Sequence, residues 1–163
     1  MLTFVPLERD HLPQVVDLFN HYILHSTCTF HIASIDLEQM ASKAGLGDAK
    51  FASFALYDAD RFIGYSTLRP WKAQEAYNCT GEVALYLHPE SVGRGVGKQA
   101  LQHLESIAIE RGLLSLIAGV CAENDRSLSL FTKSGYNEVG RFPRVGNKFG
   151  RELDILYLQK FLR

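Results

Sequence analysis

Three glycines at alternate positions, Gly93, Gly95 and Gly97, interleaved with Arg94 and Val96 and followed by Lys98, are the residues of this sequence best suited to holding an anion. Glycines let several backbone N–H groups turn into one concavity, and at a helix N-terminus those groups carry a partial positive charge that favours phosphate or pyrophosphate. Arg94 and Lys98 can add charge-assisted contacts. Two familiar nucleotide loops fail by spacing. A Walker loop needs glycine at Val92 and a hydroxyl at Gln99, and a Rossmann turn starting at Gly93 needs glycine at Lys98. The second chemical candidate is Glu82, an acid at the start of an alternating run that leads into the glycines. A carboxylate there can serve as general base for an amine whose pKa is not far above neutrality.

Both candidates need elements to position them. Thr80 to His88 alternates as a strand, with Val83, Leu85 and Leu87 facing one way and Glu82, Ala84 and Tyr86 the other. After the glycines, Ala100, Leu101, Leu104, Ile107 and Ala108 form a helical stripe that Gly112 stops. Leu113 to Ala122 is nearly all apolar, as expected of a strand covered on both faces. Upstream, Leu2 to Leu7 reads as a strand and Leu12, Val15, Val16, Phe19, Tyr22 and Ile23 recur as a helix, with Asp10 available as its cap. Ser34 or Asp36 opens a weaker helix to about Lys43, and Phe51–Tyr57 and Arg61–Leu68 read as a hairpin. A loop from Arg69 to Cys79 carries the only tryptophan. Asn124 or Asp125 caps a short helix ending at Ser134-Gly135, and strands over Tyr136–Phe142 and Glu152–Phe161 follow. The order β-α-α-β-β-β-α-β-α-β-β predicts a mixed α/β sandwich with a central strand-turn-helix unit. No repeat or linker divides residues 1–163, so one domain is expected.

Composition narrows the partners. The 163 residues carry 17 Lys+Arg against 18 Asp+Glu, a formal net charge of −1, with 47% hydrophobic residues. Without a basic run, neither a nucleic acid nor an anionic membrane is an expected partner, which leaves small molecules. The longest apolar run falls well short of the ~20 residues a membrane span needs. Cys28, Cys79 and Cys121 have no metal-ligand spacing and read as free thiols of a cytoplasmic protein. His21 and His25 share a helix face, but no acid stands beside them as in a zinc-protease motif, so no metal is expected.

The segment Val92-Gly-Arg-Gly-Val-Gly97 resembles the pyrophosphate-binding pattern of the GNAT acetyltransferases, [QR]-x-x-G-x-[GA], departing from it only at Val92. Asn124-Asp-Arg-Ser127, continuing to Gly135-Tyr136, resembles the family's second CoA element. More narrowly, Asn20-His-Tyr-Ile, Ser26-Thr with Phe30, Pro70-Trp-Lys-Ala, Ala76-Tyr77 to Glu82, and Gly146-Asn-Lys-Phe-Gly150 resemble the phosphinothricin and methionine sulfoximine (sulfone) acetyltransferases. The resemblance implies a GNAT fold, a mostly antiparallel mixed sheet of about seven strands with four main helices. It also implies acetyl-CoA as co-substrate, no metal, and a homodimer.

On that resemblance Glu82 is the catalytic base, and Leu85, Tyr86, Leu87, the turn from Gly93 to Lys98, Asn124 and Ser127 bind the cofactor. Phe30, Lys72 and Tyr77 would bind a small amine or amino-acid substrate. Pantetheine would run along Leu85–Leu87 like an added strand, leaving the thioester near Glu82, with a main-chain N–H of the strand stabilising the oxyanion during direct transfer in a ternary complex. Three departures stand out: Phe131 replaces the family's Tyr or His, Gln74-Glu75 replace a basic residue of the substrate loop, and Glu152 replaces Trp. Protein N-terminal acetylation and non-catalytic acyl-CoA sensing are the competing functions on this fold. Cys79 is the cysteine placed by sequence for a covalent route.

Overall fold

A computed structural model describes residues 1–163. Seven strands form a single sheet in the order β1-β2-β3-β4-β5-β7-β6. In chain order these are β1 (Leu2–Pro6), α1 (Leu12–His25), α2 (Leu37–Ala44), β2 (Ala52–Asp58), β3 (Arg61–Pro70) and β4 (Thr80–Leu87). They are followed by α3 (Val96–Glu110), β5 (Ser115–Cys121), α4 (Asp125–Lys133), β6 (Asn137–Lys148) and β7 (Arg151–Phe161). Every neighbouring pair is antiparallel except β4 and β5. The element sequence expected from periodicity is the one observed, a seven-stranded mixed sheet with four helices.

Each face of the sheet owns a core. On one, Ala100, Leu101, Leu104 and Ala108 of α3 and Phe131 of α4 pack onto Leu68, Val83, Leu87, Leu116, Ala118 and Val120. On the other, Leu12, Val15, Val16, Phe19 and Ile23 of α1 and Met40 and Ala44 of α2 cover Ala55 and Tyr65. Burying each such large side chain contributes roughly 1.5–3 kcal/mol, which is why the 3.6-residue stripes prevail over weak local propensity. α2 is short and depends on its ends. The Asp36 carboxylate accepts from Gln39 N–H at 2.8 Å, the Gln39 side chain accepts from Asp36 N–H at 2.8 Å, and Gly45 ends the helix at φ 62°.

Three local expectations are corrected. Asp10 does not cap α1: it lies in a 3-10 turn (Arg9–His11), and the helix enters through His11 with Pro13 in its first turn. β3 continues through Arg69 and Pro70, because both pair with Glu82 and Gly81 of β4. β6 runs to Lys148, well past Phe142, across an irregularity between Phe142 and Gly146. The Asp154 carboxylate holds that bulge, accepting the Arg144 N–H at 2.7 Å and the Arg141 Nε at 2.9 Å, with Arg144 at φ 52°.

The feature that shapes the site is the parallel pair. β4 and β5 share three rungs only, Thr80↔Ser115, Gly81↔Leu116 and Glu82↔Ile117, although β5 stays paired to β7 through Cys121. Beyond Glu82 the two strands part, and Val83–Leu87 has a ladder partner on the β3 side alone.

Candidate active site

The parted strands form the walls of a cleft of about 570 Å³. Leu85, Tyr86 and Leu87 line one side and Gly119 and Val120 the other, while Gly93, Gly95, Gly97 and Lys98 close one end. Asn124, Ser127 and Phe131 of the α4 segment complete it. Gly93 and Gly95 take φ 81° and 78°, the left-handed region that side chains resist, so the turn takes this path into α3 only because these residues are glycine. A Cβ on Gly97 would stand 3.0 Å from Leu130 Cδ2, so the third glycine allows α4 to approach α3. The cleft, the unpaired run of β4 and the glycine turn fit a long thioester cofactor ending in pyrophosphate.

Two residues assigned to this cleft from sequence do not line it. Arg94 turns away and places its guanidinium 3.6 Å from Asp58 of β2. Val96 is buried in the core beneath α3, leaving the turn only its main chain. Conversely, Tyr22 of α1 lines the cleft and donates its hydroxyl to the Leu87 carbonyl, a contact that periodicity read only as core.

A second cavity, of about 300 Å³, shares a wall with the cleft formed by Cys28, Val83, Ala84, Tyr86 and Gly119. Glu82 lines it, half-buried, together with Phe30, Lys43, Tyr65, Thr67, Arg69 and Tyr157. Burial pushes the Glu82 carboxyl above the usual range, and Arg69, Lys43 and Lys72 oppose that rise. Burial and the Arg69 charge hold the Lys43 ammonium below its ordinary value, with Glu82 acting against them.

Of the three residues predicted for substrate, only Phe30 reaches this cavity. Lys72 and Tyr77 are drawn onto Trp71 instead and line neither space: the Lys72 ammonium lies 5.5 Å from the indole, and Tyr77 packs edge-on to it at 5.1 Å. Glu152 is 3.8 Å from Arg144 and lines neither space. Cys79 also lines neither, whereas Cys28 lies in the shared wall and Cys121 in the smaller cavity. The protein contains no cluster of His, Cys, Asp and Glu able to hold a metal, and no helix is long and apolar enough to cross a membrane.

The loop bearing Cys28 and Phe30 is anchored from the far end of the chain. Lys148, buried at 4% exposure, donates to the carbonyls of Ser26 at 2.6 Å and Thr29 at 2.8 Å. Glu123 accepts from Thr27 at 2.6 Å and from both terminal nitrogens of Arg151 at 2.9 Å. Asn124 caps α4, accepting from Ser127 N–H at 3.2 Å, and donates to the Cys28 sulfur at 3.4 Å. A Cβ on Gly146 would meet the Phe30 ring at 2.7 Å, so the ring lies directly on the β6 backbone.

The profile of the Acetyltransferase (GNAT) family matches residues 14–136, which include both cavities' central strands and the glycine turn. The chain belongs to the GNAT family of acetyltransferases. YwnH of Bacillus subtilis is 39% identical to this GNAT chain over 156 residues, covering 95% of this chain and 96% of that protein. The L-methionine sulfoximine/L-methionine sulfone acetyltransferase of Pseudomonas paraeruginosa is 29% identical, covering 91% and 87%. Among solved structures, a phosphinothricin acetyltransferase from Sinorhizobium meliloti in complex with AcCoA superposes with a TM-score of 0.93 at 23% identity, covering 98% of this chain and 88% of that one, which shows a shared fold. As a member of the GNAT family the protein is an acyltransferase with acetyl-CoA as its co-substrate.

Proposed function

We propose that this GNAT enzyme, one domain over residues 1–163, acetylates the α-amino group of a small amino acid or amino-acid analogue, of the phosphinothricin, methionine sulfoximine or methionine sulfone type. The observation that carries the reading is the position of Glu82, on the strand shared by the two cavities and inside the smaller one. Relatives named for methionine sulfoximine/sulfone and phosphinothricin acetylation agree with it.

Bound in the cleft, acetyl-CoA supplies an activated acetyl group. In our reading its pyrophosphate lies against the main-chain N–H groups from Gly93 to Gly97 and the Lys98 ammonium, and its pantetheine along Leu85–Leu87, with Asn124 and Ser127 opposite. The acceptor must attack as a neutral amine. At pH 7 deprotonation costs a chain-terminal α-amino group of pKa ~7.8 about 1 kcal/mol and a lysine ε-amine about 5 kcal/mol, and the amine of a free amino acid falls between the two, so a base is required. Glu82, directly or through a water, takes the proton the amine gives up. The new bond joins the amine nitrogen to the acetyl carbon, the carbon–sulfur bond breaks, and the thiolate picks up a proton to leave as CoA. A main-chain N–H of β4 stabilises the charge that develops on the acetyl oxygen. A cavity of about 300 Å³ suits a single amino acid better than a peptide N-terminus.

The test follows CoA release with methionine sulfone, methionine sulfoximine and phosphinothricin against a panel of peptides. Release with the amino acids and not the peptides is expected. Acetyl-CoA binding without release from any amine would identify a sensor instead, and release with peptides alone a protein N-terminal acetyltransferase.

The same reading includes a cytoplasmic homodimer. Its three free thiols suit a reducing compartment. The edge strand β6 and the turn that follows it expose Val139, Phe142, Val145 and Phe149, an apolar face suited to a second copy.

A further inference from the structure

The smaller cavity contains two cations that the base does not require. Lys43 enters it from the last turn of α2, and Arg69 from the end of β3. Both are half-buried, and neither takes part in any of the protein's ion pairs. By contrast, Arg61, Arg141 and Arg151, all more than half exposed, each meet a carboxylate within hydrogen-bonding distance. Enclosed charges are the ones that most need a partner, because removal from water is costly unless an opposite charge replaces it. Glu82 faces Arg69 across the ladder, but the two form no ion pair. With Glu82 ionised, the cavity's own charges are Lys43 and Arg69 against Glu82, a surplus of one positive charge. A zwitterionic amino acid leaves that surplus in place, and one with a second anionic group cancels it.

We infer that the acceptor is an amino acid whose side chain ends in a carboxylate, and that Lys43 and Arg69 select it. Arg69 stands on the same rung as Glu82, so it takes the α-carboxylate while Glu82 meets the adjacent amine. Lys43, which reaches the cavity from α2, takes the side-chain anion. The low ammonium pKa imposed by burial and by Arg69 is the price of holding that charge ready, and a bound anion reverses it. This inference rests on the proposed acetylation of an amino acid and specifies which kind.

The experiment uses the full chain with acetyl-CoA and compares L-glutamate and L-aspartate with their near-isosteric amides, L-glutamine and L-asparagine. An acid is expected to exceed its amide by about tenfold or more in kcat/KM. Lys43→Met should abolish that preference by lowering the acid much more than the amide, Lys43→Arg should retain it, and Arg69→Met should lower acid and amide together. Calorimetric titration of the same amino acids into the protein saturated with CoA reads binding without turnover. If no amino acid is acetylated but the acids bind through Lys43, acetyl transfer is wrong and the anion site stands. If methionine sulfone is acetylated while wild type treats acids and amides alike in both assays, or Lys43→Met weakens both equally, the anion site is wrong and acetyl transfer stands.

Discussion

Glu82 and Arg69 occupy one rung of the antiparallel ladder between β4 and β3 and point into the same cavity, yet they form no ion pair. A directly opposed acid and base in a sheet ordinarily satisfy each other. Here each remains available to a third party, which suits a proton acceptor and an anion acceptor working on adjacent atoms of one small molecule.

Replacing Glu82 with Gln should lower kcat by roughly 10²–10⁴, the usual contribution of a general base, while acetyl-CoA affinity measured by calorimetry is unchanged. The same variant should be no less stable at neutral pH. Burial raises the native Glu82 carboxyl above its unfolded value, so its contribution is fully present only below the unfolded pKa and is lost as pH rises through the native one. Denaturation curves should therefore show the Gln variant gaining on wild type between about pH 4.5 and neutrality. The acid limb of kcat/KM should likewise lie above the ordinary carboxylate range, shaped by Arg69, Lys43 and Lys72 around Glu82.

Lys148→Met removes two donated hydrogen bonds from a buried ammonium and releases the carbonyls of Ser26 and Thr29. Each bond to a charged group contributes about 1.5–3 kcal/mol. We expect Tm to fall by several degrees and KM for the amine to rise. Acetyl-CoA affinity should change less, since Cys28 is the loop's only contribution to the cleft wall. An unchanged amine KM would refute the anchoring role.

Phe131 lines the cleft and, unlike Tyr or His, offers no proton to a departing thiolate. Because a thiol of pKa ~8.5 leaves readily, Phe131→Tyr should raise kcat by only about 2–10-fold. Pre-steady-state measurement of CoA release is the check. No change in turnover would mean that no donor is missing there.

Gly95→Ala places a side chain at φ 78°, which costs about 1–2 kcal/mol, and its Cβ would project where nothing stands within 4 Å, at the mouth of the anion turn. Acetyl-CoA affinity should fall with only a modest drop in Tm. Because Gly112 takes φ 76° with equally open space and caps α3 far from the cleft, Gly112→Ala is the control and should lower Tm alone.

Much of this was legible from residue type and spacing. The glycine turn announced itself because three alternating glycines at a helix start have few other uses, and α3 and β5 because one buried stripe and one all-apolar run admit few placements. Glu82 was found by its alternation and the family resemblance. Lys43 and Arg69 were not, for different reasons. α2 is short and largely polar, so no periodic stripe points to Lys43, and Arg69 falls within the loop expected from Arg69 to Cys79, where the strand in fact continues. The family resemblance of the loop that bears Lys72 and Tyr77 implies pocket residues. Trp71, which no spacing rule places, gathers them outside both cavities instead. The β6 bulge depends on Asp154, a partner from the following strand, which local sequence cannot reveal.

The three rungs between β4 and β5 also bear on how the molecule holds together. One half of the sheet, β1 to β4, and the other, β5 to β7, are joined through so short a seam that main-chain cohesion across it is slight. A ligand laid against Val83–Leu87 would extend that seam, so the enzyme should behave as a more cooperative solid when loaded. Amide exchange along β4 and β5 should slow together on loading, and the two halves should then open as one unit.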